Sequence, residues 1–161
     1  MCIRDRYKGR EIMKYIKDGK SYIVRIDRGE EILDKLNEFV KETDLKAATI
    51  TGIGACSEVE LGVYSVKKRK YSKYKYDGEF EILSLNGNIT RDGEEPYIHL
   101  HIMISDGVVL AGGLTFGMGI TVGGHLNKCV ISGTCEIRID ECENAYQRKI
   151  DDETGIKILD I

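Results

Sequence analysis

The stretch Ser21-Tyr-Ile-Val-Arg-Ile-Asp-Arg-Gly-Glu-Glu-Ile-Leu-Asp-Lys-Leu-Asn-Glu-Phe-Val40 decides the fold class, because two periodicities meet inside it. Ser21 to Asp27 is rich in β-branched residues and reads as a strand. Gly29 ends that strand. Beyond it, Ile32, Leu33, Leu36, Phe39 and Val40 stand at i, i+1, i+4, i+7 and i+8, which is one face of a helix. Glu30, Glu31 and Asp34 place acid in the first turns, where the helix dipole favours negative charge. The polar side of this helix reads as a solvated surface.

From Lys46 onward the pattern is that of strands. Ala47 to Ile53 is short and mostly apolar, punctuated by Gly52 and Gly54, and Val59 to Val66 alternates in part. Phe80 to Leu85 is a long apolar strand, and the pair Asn86-Gly87 after it predicts a turn. Asp92-Gly93 predicts a second turn. Tyr97 to Ile104 reads as a strand, Asp106-Gly107 as a turn, and Val108 to Ala111 as its continuation. Cys129 to Ile139 closes the main body, with Ile137 and Ile139 alternating against Glu136 and Arg138. One principal helix packed against a mainly antiparallel sheet is an α+β layout. With no internal repeat and no linker, residues 13–161 are expected to form a single domain. Residues 1–12 show no clean period, and regular patterning begins just after Met13. They read as an appended or disordered leader, or alternatively as an ordinary N-terminal arm.

Composition narrows the function classes. A chain of 161 residues that is 42% hydrophobic is long enough to bury a core without staples, and a single proline excludes a Pro-rich linker. No apolar run approaches the roughly 20 residues that cross a bilayer. The 24 Lys+Arg against 27 Asp+Glu give a formal charge of -3, opposite to most dedicated nucleic-acid binders, so any DNA contact must rest on a local patch. The five cysteines, Cys2, Cys56, Cys129, Cys135 and Cys142, are odd in number and include no CxxC. Without a secretory h-region they read as reduced thiols in a cytoplasm, several of them serving as small hydrophobes. A zinc–thiolate site is disfavoured.

The chain has three histidines, His99, His101 and His125. In a strand, residues i and i+2 share a face with Cα atoms roughly 6–7 Å apart, so His99 and His101 can share one metal ion. His125 follows Gly123-Gly124, whose missing side chains let a backbone come close and bring in a third imidazole. Three histidines plus water is an open zinc arrangement, although imidazole also suits iron, nickel and copper. The competing reading has the histidines hydrogen-bonded within the core. A cupin would need a Glu shortly downstream of HxH, and Ile102-Met-Ile-Ser-Asp106 offers none. No catalytic residue is assigned. There is no Ser nucleophile motif, carboxylate pair, GxGxxG or Walker spacing.

Residues 67–76 interleave Lys67, Lys68, Arg69, Lys70, Lys73 and Lys75 with Tyr71, Tyr74 and Tyr76. Cations can meet phosphates and tyrosines can stack on bases. The same string fits an exposed edge whose lysines block aggregation, and the net acidic charge favours that second reading.

Taken in order, Gly52-Ile-Gly-Ala55, Glu79-Phe-Glu-Ile-Leu-Ser-Leu-Asn-Gly87, His99-Leu-His101, Gly123-Gly-His-Leu126 and Thr134-Cys-Glu-Ile137 resemble the PPC domain, the plants-and-prokaryotes-conserved family also called DUF296 and labelled DNA-binding. The resemblance runs from about Tyr22 to about Leu159 and includes the tail Arg148…Asp152-Glu-Thr-Gly155…Leu159. It implies a mainly antiparallel sheet packed on a helix, a homotrimer, and, for a stand-alone copy, a prokaryotic cytoplasmic protein. It also implies a zinc or other divalent-metal site at His99, His101 and His125. In plant members an AT-hook carries the minor-groove binding. This chain shows no Arg-Gly-Arg-Pro hook, so neither a hook nor the net charge supports DNA as a partner, and no sequence-specific DNA binding by the chain alone is expected. The plant partner-contact stretch corresponds to Gly78, Glu79, Phe80, Glu81, Ile82 and Leu83, with Glu79 standing where the plant motif has Arg. Ala111 to Val122 is longer than the family's usual passage from HxH to GGH and is expected to form an extra loop or hairpin. The functional expectation is a metal-binding trimeric module with a DNA-associated or regulatory role; the alternative is a small metalloenzyme using a metal-bound water.

Overall fold

The computed structural model describes residues 13–106 and 120–161. Along them run β1 (Lys14–Asp18), β2 (Ser21–Asp27), α1 (Ile32–Thr43), β3 (Ala48–Ser65), β4 (Lys70–Asp92), β5 (Glu95–Asp106), β6 (Thr121–Glu141), β7 (Arg148–Ile150) and β8 (Lys157–Leu159). The architecture is mostly antiparallel β-sheet with one helix among the described residues, so strand outweighs helix more than the α+β expectation suggests.

The sheet order is β1-β2-β6-β3-β4-β5, with β6 also pairing with β5. The four long strands therefore close into a ring, β3 to β4, β4 to β5, β5 to β6 and β6 back to β3, every ladder antiparallel. β2 and then β1 extend the sheet from β6. Closure removes most of the unpaired edge that a long strand would otherwise expose. Alternation sends Leu100, Ile102, Ile104, Leu126, Ile137 and Ile139 into the core, which leaves His99, His101, Met103 and His125 on the outer face.

The helix forms where the apolar period predicted it. Glu31 is its N-cap: Oε2 accepts from the Asp34 N–H at 2.8 Å, and Oε1 accepts from the Cys129 N–H of β6 at 2.8 Å. One carboxylate thus caps the helix and pins it to the sheet. Leu36 and Phe39 are fully buried. The Phe39 ring meets Tyr15 and Tyr22 edge-on, at 5.2 Å and 5.1 Å between centroids.

Several expected boundaries are corrected. Asn86-Gly87 is no turn but lies in the middle of β4, where Asn86 pairs with His101 and Gly87 with Leu100. A Cβ on Gly87 would stand 1.9 Å from the His99 carbonyl oxygen, so glycine is there for close strand approach rather than for bending. The two strands expected over 47–53 and 59–66 are one strand, Ala48–Ser65, whose register shifts near Gly52–Gly54 and Cys56–Glu58 absorb the curvature. Asp92-Gly93 does turn, with Gly93 at φ +64°. Thr121 and Val122, placed in the expected insertion, are strand residues paired with Ser105 and Ile104. The rest of that insertion from 111 to 119 and the expected leader, 1–12, lie outside the described residues. Cys56, Cys129 and Cys135 are free thiols in the core, and burial pushes the Cys135 thiol up to about 12.

Candidate metal centre

The ring topology, more than local sequence, assembles the histidines. His101 is the register partner of His125 across β5 and β6, and His99 follows two residues along the same face of β5. Their ring centroids lie 5.2 Å (His99–His101), 4.9 Å (His99–His125) and 5.6 Å (His101–His125) apart. One ligand nitrogen from each lies within 4.8 Å of the others, and the set contains no carboxylate or thiol. Three nitrogens on one tetrahedral ion stand ~3.3 Å apart, given Zn–N near 2.0–2.1 Å. Three imidazole donors within 4.8 Å of one another, with no acid or thiol among them, are a donor set that fits a divalent ion.

Their electrostatics suit ligation as well. Burial, followed by the charges of His125, His101 and Arg148, pushes the His99 imidazole down to about 4. Burial and then His101 hold His125 below the ordinary imidazole range. Both are therefore neutral with a free nitrogen lone pair at neutral pH, the form that binds metal.

The surroundings come from segments that the sequence reading did not connect with the histidines. Gly62 of β3 pairs with His125. A Cβ at Gly62 would stand 1.6 Å from the Tyr71 Oη, so the missing side chain is what lets Tyr71 lie across this position, 6.2 Å from the His125 ring. Tyr71 Oη donates to Asn127 Oδ1 at 2.7 Å, while Asn127 Nδ2 is buried with no acceptor among the described residues. On the other flank, Asn88 is the β4 register partner of His99 and Thr90 that of Tyr97. Arg148, from the β7–β8 hairpin, donates through Nη2 to Asn88 Oδ1 at 2.7 Å and through Nε to Thr90 Oγ1 at 3.0 Å. Its guanidinium stacks on the Tyr97 ring at 5.0 Å. No local signal ties Arg148, Asn88 or Tyr71 to the histidines: the β4 register brings Asn88, the β7–β8 hairpin brings Arg148, and the missing side chain at Gly62 admits Tyr71.

The other singled-out residues lie elsewhere. Gly78 to Leu83 is part of β4, with Ile82 buried, Phe80 packed against the core, and Leu83 50% exposed on the outer face. Lys67, Lys68 and Arg69 form the β3–β4 turn, and Lys70, Lys73 and Lys75 follow on β4. Among the described residues β4 has no partner on its second side before Phe80, which is the exposed-edge placement. Lys73 and Lys75 pair with Glu60, and Arg69 donates to the Asp152 and Glu153 carbonyls.

A closed antiparallel sheet carrying three imidazoles on its outer face defines the structural class. The model of the Plants and Prokaryotes Conserved (PCC) domain matches residues 13–143, and the chain belongs to that family, the PPC domain of the sequence comparison. No curated protein matches. Among solved structures it is similar to a "putative dna binding protein" of Bacteroides thetaiotaomicron, with 29% identity and TM-score 0.81 over 93% of this chain and 98% of that one. It is also similar to a metal-containing protein of Archaeoglobus fulgidus, with 27% identity and TM-score 0.74 over 93% and 99%. A PPC protein of Pyrococcus horikoshii shares 25% identity, with TM-score 0.75 over 95% and 97%.

Proposed function

We propose that residues 13–161 form one metal-binding module that works as a homotrimer in the cytoplasm, holding a single divalent ion, zinc in the first instance, on His99, His101 and His125. The observation that carries this reading is the convergence of three imidazole nitrogens within 4.8 Å of one another, supplied by two strands that meet where the sheet closes. The metal-containing neighbour from Archaeoglobus fulgidus supports it. Such an ion, when bound, supplies Lewis acidity and a more acidic bound water. The chain's own part is to hold three neutral ligands in place and to keep the site at the surface. Elemental analysis of protein purified without added metal tests this: about one ion per chain, falling strongly in His101→Ala, supports the site. Full retention of the ion in His101→Ala refutes it.

The trimer reading rests on the outer face. Ile16, Ile23, Ile53, Leu83 and Met103 are 71%, 42%, 60%, 50% and 45% exposed. Ile16, Ile23, Arg138, Thr51, Asn86 and His101 follow one another in register across the sheet, so these side chains share one continuous surface. A shallow groove between Ile23, Ile53, Leu83 and Arg138 runs across it. An apolar surface of this extent calls for a protein partner, and a second and third copy are always at hand. Gly78 to Leu83 is the proposed partner-contact segment because Leu83 lies on this face.

A DNA-associated or regulatory role, suggested by the names of neighbours, would use Lys67, Lys68 and Lys70 at the β3–β4 tip for phosphate contact. One observation favours a metalloenzyme as the second reading: His101 is exposed, so the cluster is open to solvent on one side.

A further inference from the structure

The three imidazoles are neutral ligands, so a divalent ion on them keeps its full charge. Beside it stands Arg148, and none of the ion pairs among the described residues involves Arg148. Its acceptors are all uncharged: Asn88 Oδ1, Thr90 Oγ1 and the Lys157 carbonyl, the last at 3.4 Å from Nη1. A guanidinium carries five N–H groups, so one donor on each Nη nitrogen remains. The other cations of this hairpin are neutralised, Lys149 by Asp160 and Lys157 by Asp92. Arg148 is thus a half-buried positive charge, fixed in place by its side-chain contacts and its stacking on Tyr97, next to the residue paired with His99. On the far flank, the buried Asn127 Nδ2 is a further donor without an acceptor. Cations and free donors with no acid between them call for an anion.

We propose that the open position of the metal is an oxyanion subsite, in which a carboxylate or phosphate ligand binds the ion through one oxygen and Arg148 through another. This rests on the metal reading above. The planar fork of Arg matches both oxyanions, and a ligand shared between metal and guanidinium is held in one orientation. On this account the β7–β8 hairpin is part of the site, since it alone carries Arg148.

Cobalt(II) as the bound ion makes the subsite visible, because its visible bands respond to the fourth ligand. The full chain loaded with cobalt is titrated with acetate and, separately, with inorganic phosphate. A saturable spectral change is expected, and which of the two anions acts at lower concentration assigns the source as carboxylate or phosphate. Arg148→Met should raise the half-saturating anion concentration about tenfold or more, from the loss of a charge-assisted bond, while one cobalt still binds. Arg148→Lys, which keeps the charge and preserves the fold if the hairpin depends on it, should fall between the two. A cobalt protein whose bands ignore both anions overturns the subsite, and so do variants that titrate like the parent. If no cobalt binds to the parent chain, the metal reading itself fails and takes the subsite with it.

Discussion

His101 and His125 are register partners across the β5–β6 ladder, and their pairing marks the end of that ladder, where β6 passes on to β3 through Gly62. The site therefore depends on the closure of the sheet. A protein that folds but fails to close there would keep the HxH pair and lose the third ligand.

Removing the ring of Phe39 should cost about 3–5 kcal/mol, since it is fully buried and meets both Tyr15 and Tyr22. Urea denaturation of Phe39→Ala against the parent measures this. A loss below about 1 kcal/mol would show that α1 is not anchored through this contact.

The helix and half of the site are legible in the sequence, for a simple reason. Ile32, Leu36, Phe39 and Val40 obey a helical period, and His99 and His101 obey a strand period, so in each case local geometry alone sets which side chains share a face. His125 is harder: Gly123-Gly124 hints at close approach, but only the pairing of β5 with β6 puts it opposite His101. Asn86-Gly87 misleads because turn propensity is a local preference, overridden here by two flanking ladders that need a residue without a Cβ beside His99. The link of Arg148 and Tyr71 to the histidines is not legible, for a related reason. Each reaches the site through a hairpin docking or a missing side chain at Gly62, neither of which leaves a pattern near the histidines.

The metal-free protein should lose stability as pH falls from about 6.5 towards 4. His99 has its folded pKa depressed to about 4 from 6.5, chiefly by burial, so the unfolded chain binds the proton first in that window. Stability from this group is present above the unfolded value and is lost as pH drops through the folded one. Melting temperatures of the metal-free chain and of His99→Gln across this range provide the check. The variant should show the shallower slope between pH 6.5 and 5, where few carboxylates titrate. Parallel curves would contradict the assignment.

Light scattering on a size-exclusion column should give a trimer mass at micromolar concentration. Leu83→Lys, on the exposed apolar face, should shift it towards monomer without unfolding the chain. A monomeric parent would contradict the assembly reading.

At about 150 mM salt the chain alone should show no nanomolar, sequence-selective DNA binding, because its formal charge is -3 and Lys73 and Lys75 are already paired with Glu60. Any weak binding should lose salt dependence when Lys67, Lys68 and Lys70 are changed to Ala. Tight selective binding in a mobility-shift assay would overturn this expectation.

X-ray absorption at the zinc edge of the zinc-loaded protein tests the metal centre most directly, because it reads the ligands themselves. The expected result is a first shell of nitrogen and oxygen scatterers near 2.0–2.1 Å, with the outer-shell signature of three imidazoles. Sulfur scatterers near 2.3 Å would place the ion on the core cysteines instead, and would contradict the assignment to His99, His101 and His125.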